Sequence, residues 1–195
     1  SPMGTQDFGP YLQRIQQQAG NIDAVFQFHG LSSDAIRLVV QYEEFGLKDQ
    51  IPLIASGATT DDSILAEMGD AAVGLVSGTV YTASIDTPGN KEFVQKFQDK
   101  YDRRPGQVDY LGYLGGLVAR AAIEAVKGNV EDKKAFLQAI KSVRVEAPAG
   151  LFTFYPESQG PVHTVYICRV AKASDGSYYN EIIQTISNVD DMTFM

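Results

Sequence analysis

A chain of 195 residues with 44% hydrophobic and 21% charged residues has the makeup of a globular protein that buries a real core, as one large domain or two small ones. Its net charge of −8, with no basic run longer than Arg103-Arg104, would repel a phosphate backbone and sets nucleic acid aside as a partner. No apolar run approaches the roughly 20 residues that span a bilayer, no signal peptide opens the chain, and a lone cysteine, Cys168, allows neither an internal disulfide nor a metal motif of the cysteine type.

The first segment, DFGPYLQRIQQQAG, places Phe8, Tyr11, Leu12, Ile15 and Ala19 on one helical face, with Asp7 or Thr5 to cap it and Gly20 to stop it. A strand follows over 23–28. An amphipathic helix after Ser33 buries Ala35, Ile36, Val39 and Val40 and ends at Gly46, and a second strand runs over 51–55. Both strands are apolar enough to predict burial on their two faces, as in a parallel βαβ unit. ATTDDSILAEMGDAA predicts a loop and a short helix carrying Ile64, Leu65 and Met68 inward, and Val73–Val80 a third strand.

Near Tyr81–Thr87 both periods vanish, until Thr87-Pro88 offers an N-cap and first helical position. One helix carries Phe93, Val94, Phe97 and Tyr101. The next, over 108–126, is the least polar, with Leu111, Leu114, Val118 and Ala122 inward; a third carries Phe136, Leu137 and Ile140. From Ala147 the pattern turns to strands. GLFTFYP is followed by VHTVYICRV and SYYNEIIQTI, which alternate with period two across an Asp175-Gly176 hairpin signal. Cys168 reads as a small buried hydrophobe.

Ligands gather where parallel strands end and helices begin. That makes His29–Ser33 and Ser56–Asp61 the first loops to inspect. His29 could bind a ligand, stack on one, or hydrogen-bond a nearby carbonyl. The pairs Asp61-Asp62 and Asp190-Asp191 read as caps or solvated charge. Tyr81, Tyr110 and Tyr113 sit at element ends and favour an apolar pocket. The chain has no nucleophile elbow, phosphate-binding loop, dinucleotide fingerprint or paired-histidine metal motif. The residues unaided support an α/β protein with a ligand crevice, no catalytic or metal-ligating residues and no cofactor.

The ordered phrases PMGTQDFGPYLQRIQQ, AIRLVVQYEEFGLKDQIPLIASG, LAEMGDAAVGLVSGTVY, NKEFVQKFQDKY, RRPGQVDYLGY and AGLFTFYPESQGPVHTVYI resemble the type I solute-binding proteins of ABC importers, the leucine/isoleucine/valine-binding group. The resemblance implies the type I periplasmic-binding-protein fold, two Rossmann-like α/β lobes that close like a hinged trap, here an incomplete C-terminal portion. It assigns 1–80 to part of the C-terminal lobe. Residues 81–150 become a hinge crossing at Tyr81–Ser84 and the helical part of the N-terminal lobe, and 151–195 the strands returning to the C-terminal lobe and hinge.

Carried over by position, the pocket residues would be His29, Leu31, Ser32, Ser56, Gly57 and Ala58, with Tyr81 by the hinge and Val108 and Tyr110 across the cleft. Branched-chain amino-acid binders of this group have an aromatic residue where Leu31 stands and an acidic one where Gly57 stands. The expected function is a periplasmic or lipid-anchored extracellular component that captures a small organic carboxylate, an aromatic acid or hydrophobic amino acid, and delivers it to an ABC permease in the membrane. Two rivals are a sensor domain of the same fold and an α/β enzyme using His29 and Asp61.

Overall fold

The α/β alternation of the first eighty residues is present, with its first helix shortened. In the computed structural model, which describes residues 1–30 and 32–190, the chain divides into two units. One is Ser1–Thr79 with Ile167–Gln184; the other is Val80–Tyr166 with the chain from Thr185 on. Tyr81–Ser84, expected as a hinge crossing, thus belong to the second unit, as do the strands after Gly150 as far as Tyr166.

The first unit begins with α1 (Gly9–Gln16), which stops before Gly20. Its opening N–H at Gly9 donates to Asp7 Oδ1 at 2.8 Å. Then come β1 (Val25–Gln27), α2 (Ser33–Glu44) and β2 (Leu53–Ser56). The one-turn α3 (Leu65–Met68) runs into a 3₁₀ turn, Gly69–Ala72, and β3 (Val76–Thr79) follows. β1 pairs parallel with β2, and β2 with β3, in registers Val25 to Leu53 and Ile54 to Val76. Beside β3 lies β6 (Pro161–Lys172), which also pairs with β7 (Tyr178–Val189). The Asp175-Gly176 hairpin between them forms as read: Ala173 N–H donates to Ser177 O at 2.8 Å, and Gly176 takes φ +86°.

Phe8, Leu12, Val39, Tyr42, Leu47, Ile51, Leu53, Leu65, Met68 and Val170 form this unit's core. Each fully buried leucine there contributes about 1.5–3 kcal/mol relative to exposure. Tyr42, absent from the sequence reading, is buried because its hydroxyl donates to Ile51 O at 3.0 Å. The last turn of α2 is thereby tied to the entrance of β2. The expectation that β1 and β2 bury both faces fails. Phe26 is 67% exposed, Phe28 78% and Ile54 40%; among the described residues nothing covers that face, while polar Gln27 points inward.

In the second unit α4 (Pro88–Tyr101) starts where the sequence put it. Thr87 Oγ1 accepts the Asn90 N–H at 3.1 Å and donates to Pro148 O at 3.1 Å. α5 (Gln107–Ala125) buries Tyr110, Leu114 and Ala122. Leu111, expected inward, is exposed instead: a helix apolar on most sides does not reveal its inner face. α6 (Lys133–Lys141) is capped by Asp132, which accepts the Ala135 N–H at 3.0 Å. Leu137 on it is exposed. β4 (Arg144–Ala147), unread in the sequence, pairs antiparallel with β5 (Gly150–Phe154), and β5 with the start of β6. Cys168, on the part of β6 that belongs to the first unit, is fully buried.

Candidate functional site

At the carboxyl ends of β1 and β2 two loops are sewn together. Ser56 Oγ donates to His29 O at 2.9 Å and lies 3.1 Å from Thr59 Oγ1. A backbone bond from Thr59 N–H to Ser56 O at 2.9 Å closes the turn. The turn is then tied onward: Thr60 Oγ1 meets Ser77 Oγ on β3 at 2.6 Å, and Asn180 Nδ2 on β7 donates to Thr60 O at 2.8 Å. Thr59, Thr60, Ser77 and Asn180 are buried polar residues that the sequence reading missed. For Thr59 and Thr60 the signal was their place directly after a strand, where backbone groups need partners; Ser77 and Asn180 lie within strands and gave none.

His29 is half-buried, its Nδ1 2.6 Å from Gln27 Nε2 and its ring edge-on to Phe8 with centroids 6.0 Å apart. With the amide nitrogen donating, Nδ1 accepts and the ring proton sits on Nε2, a donor suited to a carboxylate. His29, Ser56, Gly57 and Ala58 are therefore brought together. Ser32 stands exposed as the N-cap residue of α2, and Leu31 lies outside the described residues.

Asp61, the acid of the enzyme reading, accepts the Ser63 N–H at 3.0 Å and the Ser63 hydroxyl at 2.6 Å on Oδ1. That is a local turn cap, built from one loop. His29 and Asp61 thus each hold partners of their own. Asp34 behaves similarly, gathering the Gly4 N–H and the Arg37 guanidinium at 2.7 and 3.0 Å.

On the second unit Tyr81 and Tyr110 come together as a stacked pair, and Phe93 meets Tyr81 edge-on at 5.9 Å. Burial pushes the Tyr110 hydroxyl up to about 12, so it serves as a neutral hydrogen-bonding group. Val108, in the first turn of α5, is exposed. A separate groove of about 760 Å³ runs along α4 and α5 past Phe97, Tyr101 and Tyr113. None of the pocket residues inferred by position, Tyr81 and Tyr110 included, lines it. Among the described residues no group of three or more His, Cys, Asp or Glu is placed to hold a metal ion.

Residues 1–177 match the family described as periplasmic binding protein. A Leu/Ile/Val-binding protein homolog 6 of Brucella suis biovar 1 (strain 1330) is 33% identical over 194 residues, covering 97% of this chain and 49% of that protein. An ABC transporter substrate-binding protein from Sphaerobacter thermophilus superposes with a TM-score of 0.94 at 58% identity, covering 100% of this chain and 53% of that one. A solute-binding protein of an ABC transporter from Rhodopseudomonas palustris BisB5, in complex with 3,4-dihydroxy benzoic acid, superposes with a TM-score of 0.86 at 33% identity, covering 95% and 50%. The chain spans about half the length of each of these relatives.

Proposed function

The chain belongs to the periplasmic binding protein family, and on that footing we propose that it is the ligand-holding portion of an ABC importer's substrate-binding component. It captures a small organic carboxylate, an aromatic acid or a hydrophobic amino acid, outside the cytoplasmic membrane and hands it to the permease. The observation that carries this reading is the pair of loops joined by Ser56 and His29 at the strand ends. They set an imidazole N–H beside the strand ends, where an open parallel sheet takes its ligands. Relatives of both ligand types support it, one named for Leu/Ile/Val and one bound to 3,4-dihydroxy benzoic acid. His29, Leu31, Ser32, Ser56, Gly57 and Ala58 are the contacts proposed for the first unit; Tyr81, Val108 and Tyr110 are those proposed for the second.

In this reading the first unit is part of the C-terminal lobe, and the helices of the second belong to the N-terminal lobe. The protein binds and releases without chemistry, since Asp61 serves its own turn and His29 its strand end. The test is a thermal-shift screen of the full-length polypeptide with 4-hydroxybenzoate, 3,4-dihydroxybenzoate and L-leucine. A ligand at 100 times its Kd adds about 2.7 kcal/mol of stability, so a raised Tm without turnover is expected. Steady product formation abolished by His29→Ala would overturn it.

A further inference from the structure

The chain is acidic, with 16 Lys and Arg against 24 Asp and Glu, so its cations have carboxylates within reach almost everywhere. Seven of them stand in ion pairs. Five that pair with no carboxylate among the described residues fall in one short stretch, on and beside α6: Lys127, Lys133, Lys134, Lys141 and Arg144. Between those ends only Glu131 and Asp132 are acidic, and Asp132 is the helix cap. The stretch is net positive, whereas the rest of the chain holds 11 cations against 22 carboxylates.

Helix energetics does not account for this placement. Lys133 and Lys134 occupy the first turn of α6, where the helix dipole favours acidic side chains and none stands. Leu137 lies one turn from all three lysines of the helix, four residues after Lys133, three after Lys134 and four before Lys141. It is 49% exposed. No residue of α6 is fully buried; Phe136 and Ile140 are half-buried, with α5 alongside. The outcome is a bare leucine among lysines. An apolar element packing there would strip water from ammonium groups that have no partner.

We propose that this face of α6 rests on the anionic surface of a bilayer, its lysines among the lipid phosphates and Leu137 at the boundary between headgroups and acyl chains. Ammonium groups around one apolar side chain match that surface, charge above and hydrocarbon beneath. The acidity of the rest of the chain repels the same surface, so the protein approaches with α6 first. Each cation brought to the surface strengthens partitioning by roughly 5-fold. The contact is peripheral and reversible, and it requires no captured ligand.

Co-sedimentation of the full-length polypeptide with vesicles tests it, comparing phosphatidylcholine alone with phosphatidylcholine containing about one third phosphatidylglycerol. Binding to the anionic vesicles only is expected. It should fall at least about 10-fold when salt rises from about 0.1 M to about 1 M, which shortens the screening length from about 10 Å to about 3 Å. Lys133→Glu with Lys134→Glu should weaken it at least about 10-fold, with Tm unchanged or raised because acids suit a first turn. Leu137→Ser should weaken it about 3- to 10-fold. Arg14→Glu with Arg169→Glu makes the same change of charge at two exposed, unpaired cations of the first unit, and should weaken it less than about 3-fold. Equal binding to both vesicle types, binding to neither, an equal loss in the Arg14 and Arg169 variant, or an unaffected Leu137→Ser protein overturns the proposal. So does a protein that ignores the vesicles but holds poly-L-glutamate through Lys133 and Lys134, a result that makes the patch a seat for an acidic protein.

Discussion

Tyr81 and Tyr110 stack face to face, their ring centroids 4.6 Å apart and their planes 8° from parallel. Tyr81 lies just past the start of the second unit and Tyr110 in the first turns of α5, so the stack holds the incoming chain against the longest helix. Both rings are buried. Tyr81→Ala is expected to cost about 3–5 kcal/mol, in the range of large aromatic truncations. A double-mutant cycle with Tyr110→Ala should return a coupling of about 0.5–1.5 kcal/mol beyond area burial. Urea unfolding of the four proteins measures both, and strictly additive losses would show that the rings are mere neighbours.

Thr87 has two tasks, capping α4 and reaching Pro148 O. Thr87→Ala should destabilise by about 0.5–2 kcal/mol, whereas Thr87→Ser, which keeps the oxygen, should stay close to the parent. Circular dichroism followed through a thermal melt distinguishes them.

Burial lowers the pKa of His163 from its ordinary 6.5. The folded state therefore binds this proton less readily than the unfolded chain. Its contribution to stability is full above about pH 6.5 and is lost as pH falls from there to the folded value. His163→Gln should flatten that part of the stability–pH curve, checked by denaturant midpoints between pH 7.5 and 5. An unchanged slope would assign the loss to other groups.

The Cys168 thiol is pushed up to about 12, mostly by burial and secondarily by the negative charge of Asp62. Only the thiolate is an effective nucleophile. A disulfide reagent at pH 8 should leave the folded protein unlabelled, modifying it fully in 6 M guanidinium. Rapid labelling of the native protein would show that this part of β6 opens readily.

Local chemistry explains what the sequence made legible. Thr87-Pro88 and Asp175-Gly176 declared their elements because capping and turn geometry depend on few residues. The loops at His29 and Ser56 could be found because strand ends are where parallel sheets expose polar groups. Three things were hidden. β4 is four residues long and alternates charge with apolar character, too short for a period to show. α5 carries apolar residues on most sides, so Tyr110 rather than Leu111 facing inward depends on tertiary contacts. A Cβ on Gly57 would meet Gly78 and Thr79, some twenty residues along the chain, a crowding that no local pattern reports.

Among the described residues β1 pairs on one side only, with β2. Along its other side the backbone of Val25–Gln27 is unmatched among the described strands, and Phe26 and Phe28 stand bare on the adjoining face. Nothing in the stretch Val25-Phe26-Gln27-Phe28 guards it: there is no lysine, no proline and no charge. Such an edge is a template for recruitment, open to any extended segment of similar pattern, a second molecule included. Expressed as these 195 residues, the polypeptide is expected to fail first by edge-to-edge polymerisation, with its helices still intact when the solution turns cloudy.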